Sequence, residues 1–308
     1  MGRSGTKPLI SVVGATGAQG SGLVHAIIAD GTFTARALTR DPSKPSAFAL
    51  KDAGVEVVAF DFNKPETYRA ALSGAHGAFV VTNFYEAFAK ETQQAKDIAA
   101  ACEAAGVAHV IWSTLEDTRP FFDAQTSDVP PKLQDTMYVP HFDGKAEANA
   151  SFPAAKTTLF HTSMYLENLI KFGMCKDGVM ACPMGNTPLS VIAVDDIGRC
   201  ALGVFKAGDE YKGKSVFVAG DVLTVADLMA VCAKATGKKF SYAAYAGFGF
   251  PGAEELANMF HYYKCDVAFG ARRNPDGPHG AKALYHGIQS AAVWAEANKE
   301  QLAKCGAP

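Results

Sequence analysis

At 308 residues and 48% hydrophobic content, the chain is long enough for one large α/β domain, alone or with a smaller appendage. A formal net charge of −2 without long basic or acidic runs excludes an electrostatic footprint for nucleic acid, and no apolar stretch reaches membrane-span length. The count of 7 cysteines is odd and contains no Cys-x-x-Cys pair, which argues against a disulfide framework or a zinc site and for a reducing compartment. The N-terminus lacks the apolar core of a signal peptide, although Gly2 with Thr6 fits the pattern for acylation.

The first apolar, β-branched run, residues 9–13, predicts a buried parallel strand. It breaks at Gly14, and a helical pattern follows at Leu23, Val24, Ile27 and Ile28. The turn between them is Gly14-Ala15-Thr16-Gly17-Ala18-Gln19-Gly20. Gly14 permits the tight turn, Gly17 lets the backbone approach a pyrophosphate, and Gly20 lets the helix pack close to the sheet. The anion then sits on the helix N-terminus, where unpaired N–H groups and the dipole favour negative charge. The spacing is Gly-x-x-Gly-x-x-Gly, and a structural turn with an empty crevice is the alternative reading.

Residues 33–39 alternate and predict the second strand, followed at once by Arg40 and Asp41, with Lys44 close behind. NAD sites place an acidic group here for the ribose 2′-hydroxyl, and NADP sites place an arginine for the 2′-phosphate. Arg40 with Lys44 favours NADP(H). Asp41 is the counterargument, and an ordinary solvated arginine is the alternative. Residues 55–60 predict a third strand ending at Asp61, whose carboxylate can reach an adenine edge. A helix over 66–72 leads to a fourth strand, 78–82, which puts Thr82 and Asn83 beside the cofactor crevice. Residues 86–105 predict one long helix stopped by Gly106. Strands follow at 109–114 and 157–162, and this alternation predicts a doubly wound parallel sheet.

Residues 115–140, with Pro120, Pro130, Pro131 and Pro140, predict an irregular loop with the character of a functional lid. Residues 171–188 also read as irregular. Residues 189–194 return to the alternation, Asp195 and Asp196 cap the next helix, and 216–219 form a late strand. Thr224 to Asp227 fits a capping box loosely. Helices near 252–263 and 289–304 predict a smaller, mostly helical C-terminal lobe closing over the crevice. The expected division is 8–165, continued by about 188–222, for the nucleotide fold, and 223–308 with 166–187 for the lobe. Most cysteines read as small apolar fillers, with Cys175 and Cys182 as a redox alternative.

Lys145 follows His141 at helical i,i+4 spacing, so both share one helix face, and Ser113 ends an earlier strand. In short-chain dehydrogenases the equivalent trio is Ser, Tyr and Lys. The tyrosine supplies the proton when hydride reaches a carbonyl, the lysine lowers its pKa, and the serine orients the substrate. Here histidine stands where tyrosine belongs. Three readings stay open: Lys145 bonding a nicotinamide ribose beside a plain His141, His141 as proton donor, or Lys145 alone as general acid and base. No group is assigned as certainly catalytic, and no metal site is expected.

These residues resemble a known family. The run from Gly14 to Gly20, Thr39-Arg40, Val81-Thr82-Asn83, His141-Phe142-Asp143-Gly144-Lys145 and Tyr165-Leu166-Glu167-Asn168 carry the likeness. So do Phe250-Pro251-Gly252 and Leu256-Ala257-Asn258-Met259-Phe260. Together they are similar to the NmrA-like atypical short-chain dehydrogenases, nearest the NADPH-sensing, HSCARG-type subgroup. The resemblance runs from the first strand past residue 260. It implies a Rossmann-type NADP(H)-binding domain and a sensor or regulatory role with little or no turnover. It also implies conformational or oligomeric response to the NADPH/NADP⁺ ratio, regulatory protein partners, a homodimer, and a place in the cytoplasm or nucleus. The alternative it leaves is an NADPH-dependent reductase of quinones or other carbonyls using Lys145 with His141 or Ser113.

By position, the resemblance implies that Gly14 to Gln19 hold the pyrophosphate with Gly20 behind them, and that Arg40 and Lys44 hold the 2′-phosphate. Asp61 and Phe62 flank the adenine; Thr82, Asn83 and Phe84 line the nicotinamide side; Lys145 meets the ribose. Tyr165, Leu166, Glu167 and Asn168 belong at the nicotinamide end. Ser43 stands where the family has a second basic residue, residues 90–97 depart from the pattern and receive no cofactor lysine, and 165–200 is only loosely similar.

Overall fold

Leu9–Val13 forms strand β1, and its residues Ile10 and Val12 are fully buried, as an unbroken β-branched run requires at the centre of a covered sheet. The computed structural model describes residues 6–244 and 253–307. The Gly2 acylation pattern and Phe250-Pro251-Gly252 lie outside the described residues. Two compact units share the chain. One comprises Met1–Leu115, Gly144–His161 and Ile197–Val216; the other comprises Glu116–Asp143, Thr162–Asp196 and Phe217–Pro308.

The first unit is built on β1 with β2 (Thr34–Thr39), β3 (Glu56–Ala59), β4 (Gly77–Val80), β5 (His109–Thr114), β6 (Thr157–His161) and β7 (Ser215–Phe217). Their order in the sheet is β7-β6-β5-β4-β1-β2-β3, and β1 to β6 pair in parallel. The chain runs outward from β1 through β2 to β3, then returns to lay β4 on the other side of β1. The C-terminal ends of β1 and β4 are therefore the switch point at which doubly wound folds take their ligands. Helix α1 (Ala18–Asp30) follows β1, α2 (Glu91–Ala104) precedes β5, α3 (Pro140–Ala148) precedes β6, and α4 (Val194–Lys206) precedes β7.

Close packing fixes the positions of α1 and α4. A Cβ built on Gly198 would fall 2.1 Å from the Gly22 carbonyl carbon, so the two helices meet backbone to backbone. Beneath α2, Ile98, Ala99 and Cys102 join Val80, Val110, Trp112 and Phe152 in one buried cluster. His109 is also buried in this unit, with Nε2 2.9 Å from Thr158 Oγ1, and burial pushes its pKa down to about 4.

The second unit combines two three-stranded sheets with helices. One sheet has the order Asp221–Leu223, Leu189–Ile192, Met164–Tyr165, and the other Ser241–Ala244, Val179–Cys182, Cys175–Lys176. Its helices include Val225–Thr236, Glu254–Cys265 and Ala291–Ala297. The loose capping box holds, since Thr224 Oγ1 accepts from Asp227 N at 3.1 Å.

Several expectations need correction. Residues 171–188 are not irregular: Cys175–Lys176 and Val179–Cys182 form an antiparallel hairpin. Its two-residue turn sets Asp177 at φ 50 and Gly178 at φ 77, the pair of positive angles that such a turn demands. Residues 189–194 keep the strand-then-helix alternation, with the strand Leu189–Ile192 paired in a small sheet and not in the seven-stranded one. Asp195 and Asp196 stand inside the first turn of α4 rather than before it, and fully buried Asp196 accepts from Gln289 N at 2.7 Å.

The long helix over 86–105 is broken. Phe84–Ala87 forms one turn, Phe88 takes φ 47, and α2 begins only at Glu91. Residues 115–140 contain a short helix, Arg119–Asp123, and a bridge between Leu133 and Met137. Cys175 and Cys182 are buried, with thiol pKa values pushed up to about 11 by desolvation, which removes the thiolate that redox chemistry needs.

Candidate functional site

The glycine turn closes as its sequence requires. Gly14 takes φ 66, and a Cβ there would meet Val81 Cγ1 at 3.3 Å, which puts the turn against the segment leaving β4. Gly17 N donates to Gly14 O at 2.8 Å, and Gly17 stands as the extended residue before α1. A Cβ on Gly20 would fall 2.3 Å from Gly14 O, so only glycine lets the helix begin this close to the turn. The first-turn N–H groups of α1 have no acceptor within the helix and carry its positive dipole end, a setting for an anion. Ser113 Oγ donates to Gln19 Oε1 at 2.7 Å, which ties the end of β5 to this turn.

At the end of β2, Arg40 lies exposed and pairs with Glu86 at 2.9 Å. The Asp41 carboxylate turns back on its own loop, accepting from Ser43 N at 2.9 Å and from the Ser43 hydroxyl, which holds its pKa below the ordinary value. Asp41 thus serves the turn, and Lys44 stands exposed just before the helix Pro45–Asp52. Asp61 Oδ1 accepts from Asn63 N at 2.9 Å, while Phe62 packs edge-on against Phe60 at 4.9 Å.

Beyond β4, Asn83 caps the turn Phe84–Ala87 by accepting from Tyr85 N at 3.2 Å. Next to it Lys145, only 8% exposed, reaches back from α3. Its ammonium donates to Thr82 O at 3.0 Å, to Thr82 Oγ1 at 2.7 Å and to Glu91 Oε1 at 2.8 Å. Thr82 Oγ1 in turn donates to Glu91 Oε1 at 2.8 Å, and the Trp112 ring lies under the ammonium at 5.3 Å. All three ammonium hydrogens therefore have acceptors within the protein.

Glu91 is the residue that sequence reasoning missed. It falls inside the segment read as one unbroken helix, where its side chain had no assigned direction. The break at Phe88 starts a new helix and turns Glu91 inward to 1% exposure. Phe88 at φ 47 marks where the backbone redirects, and Glu91, three residues on, reaches Lys145 from the start of α2.

His141 belongs to the second unit, with a different partner. Glu255 Oε1 accepts from the His141 backbone N–H at 2.9 Å and contacts its Nδ1. Fully buried Asp143 accepts from Thr118 N and Oγ1, both at 2.7 Å, from Tyr138 N at 2.8 Å and from Val139 N at 3.1 Å. It thereby pins both ends of the segment 115–140. Desolvation raises its carboxyl pKa, with these donors opposing the rise. Of the remaining candidates, Tyr165 closes a short strand of the second unit, Leu166 is buried and Asn168 starts a short helix. Glu167 accepts from Trp294 Nε1 at 2.9 Å and from Val194 N at 3.0 Å.

The structure thus gathers Gly14 to Gly20, Arg40, Lys44, Asp61, Phe62, Thr82, Asn83, Phe84, Ser113 and Lys145 in the first unit, and His141 and Tyr165 to Asn168 in the second. Elsewhere in the second unit, Asp128, His261 and Cys265 bring ligand-type atoms within 4.8 Å of one another, and the His261 ring bonds Asp128 O at 2.7 Å. Among the described residues no helix is long and apolar enough to cross a membrane.

The sequence profile of the NmrA-like family matches residues 6–271. An NmrA-like family domain-containing oxidoreductase, notA' of Aspergillus versicolor, is 31% identical over 254 residues, covering 71% of this chain and 67% of its own. NmrA, a negative transcriptional regulator solved in complex with NADP, superposes with a TM-score of 0.71 at 21% identity, over 96% of both chains. The Citrobacter sp. triphenylmethane reductase complexed with NADP(H) superposes with a TM-score of 0.70 at 16% identity, over 95% of this chain and 99% of that one. The chain belongs to the NmrA-like family.

Proposed function

We propose that this member of the NmrA-like family binds NADP(H) and works as a redox-responsive regulatory protein with little or no turnover. The glycine turn at the switch point and the Arg40–Lys44 pair after β2 support the nucleotide. NADP(H) complexes of NmrA and of triphenylmethane reductase, which share the fold, support the same cofactor. In this reading Gly14 to Gly20 take the pyrophosphate, and Arg40 exchanges Glu86 for the 2′-phosphate alongside Lys44. Asp61 and Phe62 take the adenine. Thr82, Asn83, Phe84 and Lys145 face the nicotinamide ribose.

The observation that carries the regulatory reading is where the candidate proton donors point. Lys145 spends its hydrogens on Thr82 and Glu91, Ser113 donates to Gln19, and His141 sits on Glu255. A general acid needs its proton aimed at the reacting atom. Here the Lys145 and Ser113 protons are aimed into the protein, and the Nδ1 side of the His141 ring is taken by Glu255. Regulation is then a population shift, in conformation or in association with itself or a partner protein. It requires that NADPH and NADP⁺ favour different states, because equal affinities shift nothing.

The second reading, NADPH-dependent reduction of quinones or other carbonyls, draws on relatives that are named oxidoreductases. Spectroscopic NADPH oxidation with a panel of quinones and carbonyls separates the two. The regulatory reading expects no acceptor-dependent rate. Saturable oxidation that disappears in Lys145→Ala overturns it and installs the reductase.

A further inference from the structure

The ion pair of Glu91 and Lys145, 2.8 Å long, is almost wholly removed from solvent, with the two residues 1% and 8% exposed. Glu91 Oε2 is buried and has no hydrogen-bond partner among the described residues, so what compensates this carboxylate is the Lys145 ammonium and the Thr82 hydroxyl on its other oxygen. The Trp112 ring under the ammonium attracts a cation but carries no charge to cancel it. The pair is neutral as a whole, and Glu91 makes it so. Charges at this depth are poorly screened by salt and act through an effective dielectric far below that of water.

NADP⁺ and NADPH share their adenosine, pyrophosphate and both riboses. They differ at the nicotinamide ring, which is cationic in NADP⁺ and neutral in NADPH. A change in net charge beside that ring must act on the two forms unequally. A loss of packing or of a ribose hydrogen bond acts on both alike. We infer that Glu91 is a specificity-determining residue for the redox state of the cofactor: by neutralising Lys145 it keeps the cationic ring of NADP⁺ from being repelled. The inference rests on the reading above, in which Lys145 faces the nicotinamide ribose. Glu91 acts through Lys145 and is a positioning and charge-balancing residue.

The test is a charge cycle on the full chain, with affinities for NADPH, NADP⁺ and 2′,5′-ADP measured by calorimetry. Glu91→Gln leaves an uncompensated positive charge, and should weaken NADP⁺ relative to NADPH by about tenfold or more, equivalent to about 1.4 kcal/mol. Lys145→Met leaves an uncompensated negative charge and should move the ratio the opposite way. The double variant should return the ratio to near its wild-type value. Affinity for 2′,5′-ADP, which lacks the nicotinamide ribose, should stay constant throughout.

A ratio unmoved in both single variants, or moved in the same direction by both, overturns the inference. If Glu91→Gln fails to fold, Lys145→Met and the double variant still give the sign. Failure of the wild type to bind either NADP form is a separate result, which overturns the nucleotide reading and this inference with it.

Discussion

His141 and Lys145 stand at i,i+4 positions of one helix, yet each ends on a different buried glutamate. Glu255 takes the His141 backbone N–H together with the ring, so it satisfies a first-turn donor that the helix leaves unpaired. Glu91 takes only the Lys145 side chain and shares it with the end of β4. The first carboxylate fixes where a helix starts. The second holds a charge at the switch point of the sheet. A shared helix face is thus a poor guide to shared function when the partners lie on different elements.

The largest expected effect separates stability from cofactor affinity. Glu255→Ala breaks a buried pair and should lower the free energy of unfolding by about 3 kcal/mol in urea titrations, leaving the NADPH/NADP⁺ affinity ratio within twofold of wild type. A ratio that moves with stability breaks the comparison. His109 sharpens it, because this buried histidine bonds a threonine hydroxyl instead of a carboxylate. Burial holds its pKa at about 4 in the fold, below the ordinary 6.5 of a solvated histidine, so the unfolded chain binds the proton first. The stability it supports is complete above pH 6.5 and is lost as pH falls toward 4. Between pH 7 and pH 5 the wild type should therefore lose about 2 kcal/mol more than His109→Gln, as read by denaturant unfolding at each pH.

At the other end of the site, Arg40→Ser should weaken NADPH about tenfold and leave NADH unchanged, measured by fluorescence titration; a tenfold loss is about 1.4 kcal/mol. Equal losses for both nucleotides would place Arg40 outside the 2′-phosphate site. The smallest effect belongs to its partner. Glu86→Gln releases Arg40 from an exposed pair and should tighten NADPH by about two- to threefold, in line with the modest strength of surface ion pairs.

Most of the first unit was legible in the sequence because its signals are local. β1 and β5 fall where the apolar runs predict, and the glycines of the turn stand where close approach excludes a Cβ. The break at Phe88 was not legible. An alanine-rich helical pattern runs through it without a glycine or proline, and the lysine that Glu91 meets stands 54 positions away in the sequence. Glu91 was lost with it. The second unit was harder because its strands are short and belong to separate small sheets. One signal there was available, since Asp177-Gly178 is a strong hairpin dipeptide. Asp143 is a different case. It stands in the motif that carries the family likeness, and its role in pinning the segment 115–140 appears only when Thr118, Tyr138 and Val139 are seen around it.

The central claim, that this protein distinguishes the redox states of NADP, is tested most directly by paired equilibrium titrations with NADPH and NADP⁺, with NADH as control. NADPH should bind about tenfold tighter than NADP⁺ or more, giving about 1.4 kcal/mol to bias a conformation, and NADH should bind far more weakly than either. Equal affinity for NADPH and NADP⁺ would contradict it.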